Sequence, residues 1–161
     1  IMLRVITYTP DHQIGVVDVV LSIQQREFNL PITLEAQPDL TDITGFYQSG
    51  RGNFWVALED SRVVGSIGLR DIGHQQGALR KMFVAAEYRG ATRGVAQLLL
   101  DTLTAWAQAQ ELTEVYLGTT EQFRAAHRFY EKNNFTTIER INLPLNFPVM
   151  SVDTRFYRRS L

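Results

Sequence analysis

The feature that most constrains this chain is a change of hydrophobic period at Gly94. Upstream of it, Asn53 to Glu59 and Arg62 to Leu69 are β-rich runs joined by the turn pair Asp60-Ser61, which reads as a hairpin. A second hairpin through Gly73 to Gly77 leads into Ala78 to Val84. Downstream, Val95, Leu98, Leu99, Thr102, Leu103 and Trp106 recur at a spacing of about 3.6 and predict an amphipathic helix ending near Gln110. Strands that pass through a glycine turn into such a helix must form a sheet with at least one face covered by it.

The remaining segments fill in the other face. Leu3 to Thr7 alternates as a strand, and Thr9-Pro10-Asp11 supplies turn and capping residues before a helical series at Val16, Val17, Val20, Leu21, Gln24 and Phe28. Pro38 to Asp42 starts a short second helix that reaches about Tyr47 and ends at Gly50 and Gly52. Glu114 to Leu117 reads as a buried strand, and Gln122 to Lys132 as a helix with Ala126, Phe129 and Tyr130 on one face, closed by Asn133-Asn134. A strand at Phe135 to Ile141, a loop marked by Pro144 and Pro148, and a last strand at Asp153 to Arg158 complete the order. The expectation is an α/β (α+β) fold: a mixed sheet of about seven strands with about four helices on both faces. At 161 residues, 45 % of them hydrophobic, the chain suits one packed core, so residues 1–161 are expected to form a single domain.

Composition excludes several function classes. Sixteen Lys+Arg against seventeen Asp+Glu give a formal charge of −1, so no global field attracts nucleic acid or an anionic membrane. Cysteine is absent, which removes disulfides, thiolate metal sites and a cysteine nucleophile, and three scattered histidines argue against a zinc centre. The apolar stretches are short, and the N-terminus lacks a basic-then-apolar pattern; neither a membrane span nor a signal peptide is expected, and the default location is cytoplasmic. The opening Ile1-Met2 suggests Met2 as the native start.

Chemistry concentrates in one segment. Lys81-Met82-Phe83-Val84 runs through Ala85 to Arg93 into Gly94-Val95-Ala96-Gln97, giving strand, glycine- and arginine-bearing turn, and helix start without a gap. A helix N-terminus offers unpaired N–H groups and the positive end of its dipole, so a glycine turn there can wrap a pyrophosphate, and Arg89 or Arg93 can add charge-assisted bonds. Local physics is equally consistent with Gly90 and Gly94 only shaping the turn and both arginines facing solvent.

This segment resembles the acetyl-CoA-binding motif of the GNAT acetyltransferase superfamily, whose pattern is Arg or Gln, two residues, Gly, one residue, then Gly or Ala. Gly94-Val95-Ala96 fits its second half, and Tyr88-Arg89-Gly90 resembles the approach to it. Three residues separate Gly90 from Gly94 where the common form has one; the position three before Gly94 is Ala91, and either Arg89 or Arg93 stands in. Downstream, Ala125 to Phe135 is similar to the family's helix-then-strand signature ending Tyr-Glu-Lys-x-Gly-Phe, with Asn134 at the usual glycine and Phe123 where many relatives have asparagine. The resemblance covers roughly residues 3 to 140.

The resemblance implies a mostly antiparallel sheet and acetyl-CoA as co-substrate, held by Phe83, Val84, Arg89, Gly90, Thr92, Arg93, Gly94, Val95, Ala96 and Gln97, with no metal. In the family the strand before the turn parts from its neighbour and pairs with pantetheine amides, which here assigns Phe83-Val84 to that edge. A backbone N–H near Val84 would then stabilise the oxyanion of the tetrahedral intermediate. Tyr130 is the candidate general acid for the departing thiolate, its alternative being a core aromatic beside Phe129; His127, one turn earlier, is a packed bystander or a participant. A carboxylate base found on the fourth strand of some relatives is replaced by Ala78, Leu79, Arg80 and Lys81, leaving Glu59, Asp71, His74 or solvent. The segment Leu143 to Met150, with the first two helices, lies where relatives bind the acceptor.

The expected function is an N-acetyltransferase, acting on a primary amine of a small molecule or peptide in a direct ternary complex. The alternative is a non-catalytic acyl-CoA-binding or sensing module of the same fold. A nucleotide-binding domain is disfavoured because neither a Walker nor a dinucleotide fingerprint is present. Homodimers are common among such relatives.

Overall fold

The computed structural model describes residues 2–161. Seven strands form one sheet: β1 (Leu3–Thr7), β2 (Asn53–Glu59), β3 (Arg62–Gly73), β4 (Gln76–Val84), β5 (Glu114–Thr119), β6 (Thr136–Ile138) and β7 (Arg155–Ser160). Four helices accompany them: α1 (Gln13–Leu21), α2 (Ile43–Tyr47), α3 (Val95–Ala109) and α4 (Arg124–Lys132). The strand order is β1-β2-β3-β4-β5-β7-β6, antiparallel throughout except where β4 meets β5. The mixed fold class, the strand number and the helix number agree with the expectation.

Strand β2 shows why both faces are covered. Its residues Phe54 to Leu58 are all buried, and the pleat sends alternate side chains to opposite sides. Phe54, Val56 and Leu58 pack with Val16 and Val20 of α1 and with Ile43 and Tyr47 of α2. Trp55 and Ala57 pack with Leu99, Leu100, Leu103 and Ala107 of α3. The buried stripe of α3 is rotated from the one expected: Leu98 is exposed, and Leu100 and Ala107 take its place against the sheet.

Several element bounds differ from expectation. The first helix leaves the α form at Leu21 and continues as a π-helical turn, Ser22–Glu27. The second begins as a separate 3-10 turn at Pro38–Leu40, because Asp42 accepts the Gly45 N–H and starts α2 afresh. The expected strand from Phe135 to Ile141 keeps only Thr136–Ile138, since Arg140–Asn142 turns back as a 3-10 helix, and β7 is shifted later, to Arg155–Ser160. Among the described residues no helix is long and apolar enough to cross a membrane.

Two features of β4 position everything that follows. First, it pairs with β5 over three residue pairs only, Gln76 to Ala78 against Glu114 to Tyr116, and the strands then separate. Second, its register against β3 shifts between Gly68–Arg80 and Ser66–Phe83, with Lys81 in the left-handed region at φ 53°. Such a bulge bends its strand and increases the local twist, which directs the end of β4 away from β5.

Leu99 is fully buried and its Cδ1 lies 3.2 Å from where a Cβ on Gly65 would stand, so it seats α3 directly on the β3 backbone. Leu99→Ala is expected to cost about 3 kcal/mol of stability in urea unfolding, the range for an unrelaxed core cavity.

Candidate active site

Where β4 and β5 part, a cleft of about 900 Å³ opens. Leu79 to Val84 of β4 form one wall, and Gly118 and Thr119 of β5 with the inward face of α4 form the other. The edge of β4 facing this cleft can be read from its neighbours. The Ala85 N–H donates to Val64 O on β3 at 2.9 Å, so the alternation of a strand turns the amide of Val84 the other way, toward the cleft. Consistently, the Val84 carbonyl accepts a hydrogen bond from Arg89 Nε at 2.8 Å on that side.

The turn after β4 carries the glycines into the conformations that require them: Gly90 at φ 103° and Gly94 at φ 68°. No neighbour lies within 4 Å of where a Cβ on Gly90 would sit, which leaves open space beside the turn. Gly94 is the N-cap of α3, and no side chain caps this helix, so its first N–H groups remain available to a ligand. Of the residues assigned to the coenzyme from sequence, Phe83, Val84, Arg89, Gly90, Gly94, Ala96 and Gln97 line the cleft. Thr92, Arg93 and Val95 do not; Val95 is fully buried in the core, and Arg93 stacks 4.6 Å over the Tyr88 ring with Glu59 3.7 Å away. Arg89 is the arginine on the cleft wall, its guanidinium fork also held by Glu27. That pairing keeps the Glu27 carboxyl below its ordinary value. Gln97 bonds Asn133 at 2.9 Å and so ties the start of α3 to the end of α4.

Tyr130 also lines the cleft, buried among Phe129, Phe135 and Tyr157. Burial, and secondarily the neighbouring Tyr157, push its phenol well above the ordinary tyrosine value. His127 is committed elsewhere. Arg155 Nη1 donates to its Nδ1 at 3.0 Å, which leaves Nε2 to donate to Thr120 O at 2.9 Å, and the ring joins α4 to β5 and β7. Asn134 closes α4 at φ 70°, the left-handed conformation that its place at a glycine position requires.

The carboxylates and histidine named from sequence as bases do not line the cleft. Glu59 accepts from the Tyr88 hydroxyl, Asp71 accepts the N–H groups of Arg51 and Gly73, and His74 sits in the β3–β4 turn at φ 55°. Three groups of cleft residues were given no role from the sequence. Arg124, Arg128 and Lys132 form a basic row on α4, which their four-residue spacing could have revealed. Phe123, edge-on to both Phe28 and Phe83 at 4.8 and 5.9 Å, bridges the cleft. The third is a polar network at the bulge. Lys81 Nζ lies 3.2 Å from Asp39 Oδ2, which also accepts the Tyr47 hydroxyl at 2.6 Å, while Arg80 Nε donates to the Tyr47 hydroxyl at 3.2 Å. Burial outweighs the attraction of Asp39 and pulls the Lys81 ammonium down to about 8. Asp153, which also lines the cleft, is raised by burial.

A profile of the Acetyltransferase (GNAT) family matches residues 17–135. An acetyltransferase of the GNAT family from Staphylococcus aureus Mu50 is 37 % identical and superposes over 99 % of both chains with a TM-score of 0.95. The N-acetylaspartate synthetase of Xenopus tropicalis is 35 % identical over 101 residues, 60 % of this chain and 36 % of that protein. The chain spans less than half the length of the curated relatives it matches. The PaiA N-acetyltransferase of Thermoplasma acidophilum, solved with coenzyme A, shares the fold at a TM-score of 0.76 over the full length of both chains, with 15 % identity.

The buried lysine gives a pH signature. Below about 8 both folded and unfolded chains hold its proton, and the burial penalty is fully present. Above that point the folded protein releases the proton while the unfolded chain keeps it up to the ordinary value of 10.5, so stability attributable to Lys81 rises across that window. Urea unfolding of wild type and Lys81→Met at pH 8 and about pH 10 is expected to show wild type gaining on the variant as pH rises; a constant difference would contradict this.

Proposed function

The chain belongs to the GNAT acetyltransferase family, and from that premise we propose that it acts as one domain to transfer the acetyl group of acetyl-CoA to a primary amine by direct attack in a ternary complex. The observation that carries this reading is the unpaired edge of β4 ending at Val84, continuous with a glycine turn and an uncapped helix. The residues present fit the coenzyme. A strand edge supplies partners for pantetheine amides, the turn has room for the diphosphate, the uncapped first turn of α3 supplies N–H groups for it, and the basic row on α4 supplies charge near the same cleft.

In this reading the Val84 N–H faces the thioester carbonyl and donates to the oxyanion that forms when the amine nitrogen bonds to the carbonyl carbon; one such donor is worth roughly 3 kcal/mol. The carbon–sulfur bond then breaks, the departing thiolate takes a proton, and the proton that the amine nitrogen sheds passes to solvent water, which also restores the donor. Tyr130 is the proposed donor. Its raised phenol stays protonated through the whole neutral range, so it meets the thiolate as a hydrogen-bond donor at every working pH. The chain has no cysteine to carry an acyl intermediate, which supports direct attack.

Tyr130→Phe is expected to lower kcat about 100-fold while leaving coenzyme affinity nearly unchanged, measured by thiol release and by calorimetric titration. An unaltered rate would remove Tyr130 from the mechanism. Coenzyme binding without thiol release from any of a panel of polyamines, amino acids and aminoglycosides would favour a binding module instead.

A further inference from the structure

The two cations at the β4 bulge have fewer acceptors than donors. Neighbours in a strand ordinarily point to opposite faces, yet Arg80 and Lys81 both reach Asp39 Oδ2, at 3.9 and 3.2 Å, because the bulge re-aims Lys81. That single oxygen already accepts the Tyr47 hydroxyl. At 3.9 Å, Arg80 Nη2 is beyond hydrogen-bond reach of it, and the other bonds of this guanidinium go to the Tyr47 hydroxyl and to Pro148 O. Lys81 carries three N–H donors, and among the described residues it meets, besides Asp39, only Met150 Sδ at 3.4 Å, a weak acceptor. Asp153 takes the Met150 N–H and attracts both cations from nearby, but it forms no ion pair within 4 Å with either among the described residues. Both cations are nearly buried, with side chains 10 % and 2 % exposed, and both line the cleft. Neither cation is without a partner, yet each keeps N–H donors beyond those its neighbours take, and at the cleft lining these suit acceptor oxygens from a ligand.

We propose that Arg80 and Lys81 form a subsite for a carboxylate of the acceptor, so that the amine acetylated by this protein belongs to a molecule that also carries a carboxylate, an amino acid being the simplest case. This rests on the transfer reading above and adds the chemical class of the acceptor. A carboxylate presents two oxygens in one plane, which suits a guanidinium edge together with an ammonium. The location separates this subsite from the coenzyme phosphates: Arg80 bonds Pro148 O and Lys81 meets Met150 Sδ, whereas the glycine turn lies beyond Val84, at the other end of the same wall. Lys81 is about 10 Å from Val84 along the strand.

The test uses matched pairs, phenylalanine against phenethylamine and leucine against isoamylamine, with aspartate and glutamate added, in a thiol-release assay. The acids are expected to exceed their decarboxylated partners in kcat/KM by roughly tenfold or more, and Arg80→Gln is expected to bring that ratio toward one, mainly through KM. Equal or faster turnover of the plain amines by wild type overturns the proposal without recourse to any variant. A preference that persists in both Arg80→Gln and Lys81→Met overturns the assignment to these residues. Acetylation of neither class counts against the transfer reading, and the subsite is then decided by calorimetry on protein saturated with coenzyme A: binding of the acids that weakens in Arg80→Gln supports it, and no heat from any acid overturns it.

Discussion

The short pairing between β4 and β5 governs this molecule. Three residue pairs hold the two halves of the sheet together, and past Ala78 the strands diverge. Backbone groups on the diverging edges lose their ladder partners, and an unpaired strand edge is an open template for another extended chain. Most sheets hide such an edge. Here it is lined by apolar and basic side chains and leads into an uncapped helix N-terminus, and under the proposed function it takes a long, amide-bearing, phosphorylated ligand.

The rest of the fold keeps that gap rigid. Sheet faces packed separately against α1 and α2 on one side and α3 on the other leave β2 and β3 little freedom to follow β4. Arg89 fastens the last carbonyl of β4 to the π-turn after α1, Gln97 links α3 to α4, and His127 links α4 to β5 and β7. Each of these contacts crosses or borders the cleft, so the separation of the strands is fixed by side chains as well as by the bulge.

What the sequence made legible follows from which signals are local. The hydrophobic period of α3, the glycines that must take positive φ, and the Tyr130 to Phe135 signature are properties of short segments, and the element order could be read from them. The bulge could not. Ala78 to Val84 reads as an ordinary strand, and nothing in the residue type of Lys81 announces a left-handed backbone. That one register shift places Arg80 and Lys81 on the same side, brings them to Asp39 from a distant turn, and gives this end of the cleft a form that no alternation pattern predicts. The choice of base among Glu59, Asp71, His74 and solvent stayed open in the sequence for a related reason: the partners of these residues, Tyr88, Arg51 and the β3–β4 turn, are set by tertiary packing. The basic row of α4 was legible in its spacing, and its direction became clear only once β5 and α4 were in place.

Amide hydrogen exchange with and without saturating acetyl-CoA tests the central claim most directly, because it reads the backbone groups on which the account depends. Slowed exchange confined to segments 79–84 and 89–97, with β1 and β2 unchanged, is the predicted result. Identical exchange in those two segments, with and without the coenzyme, would contradict it.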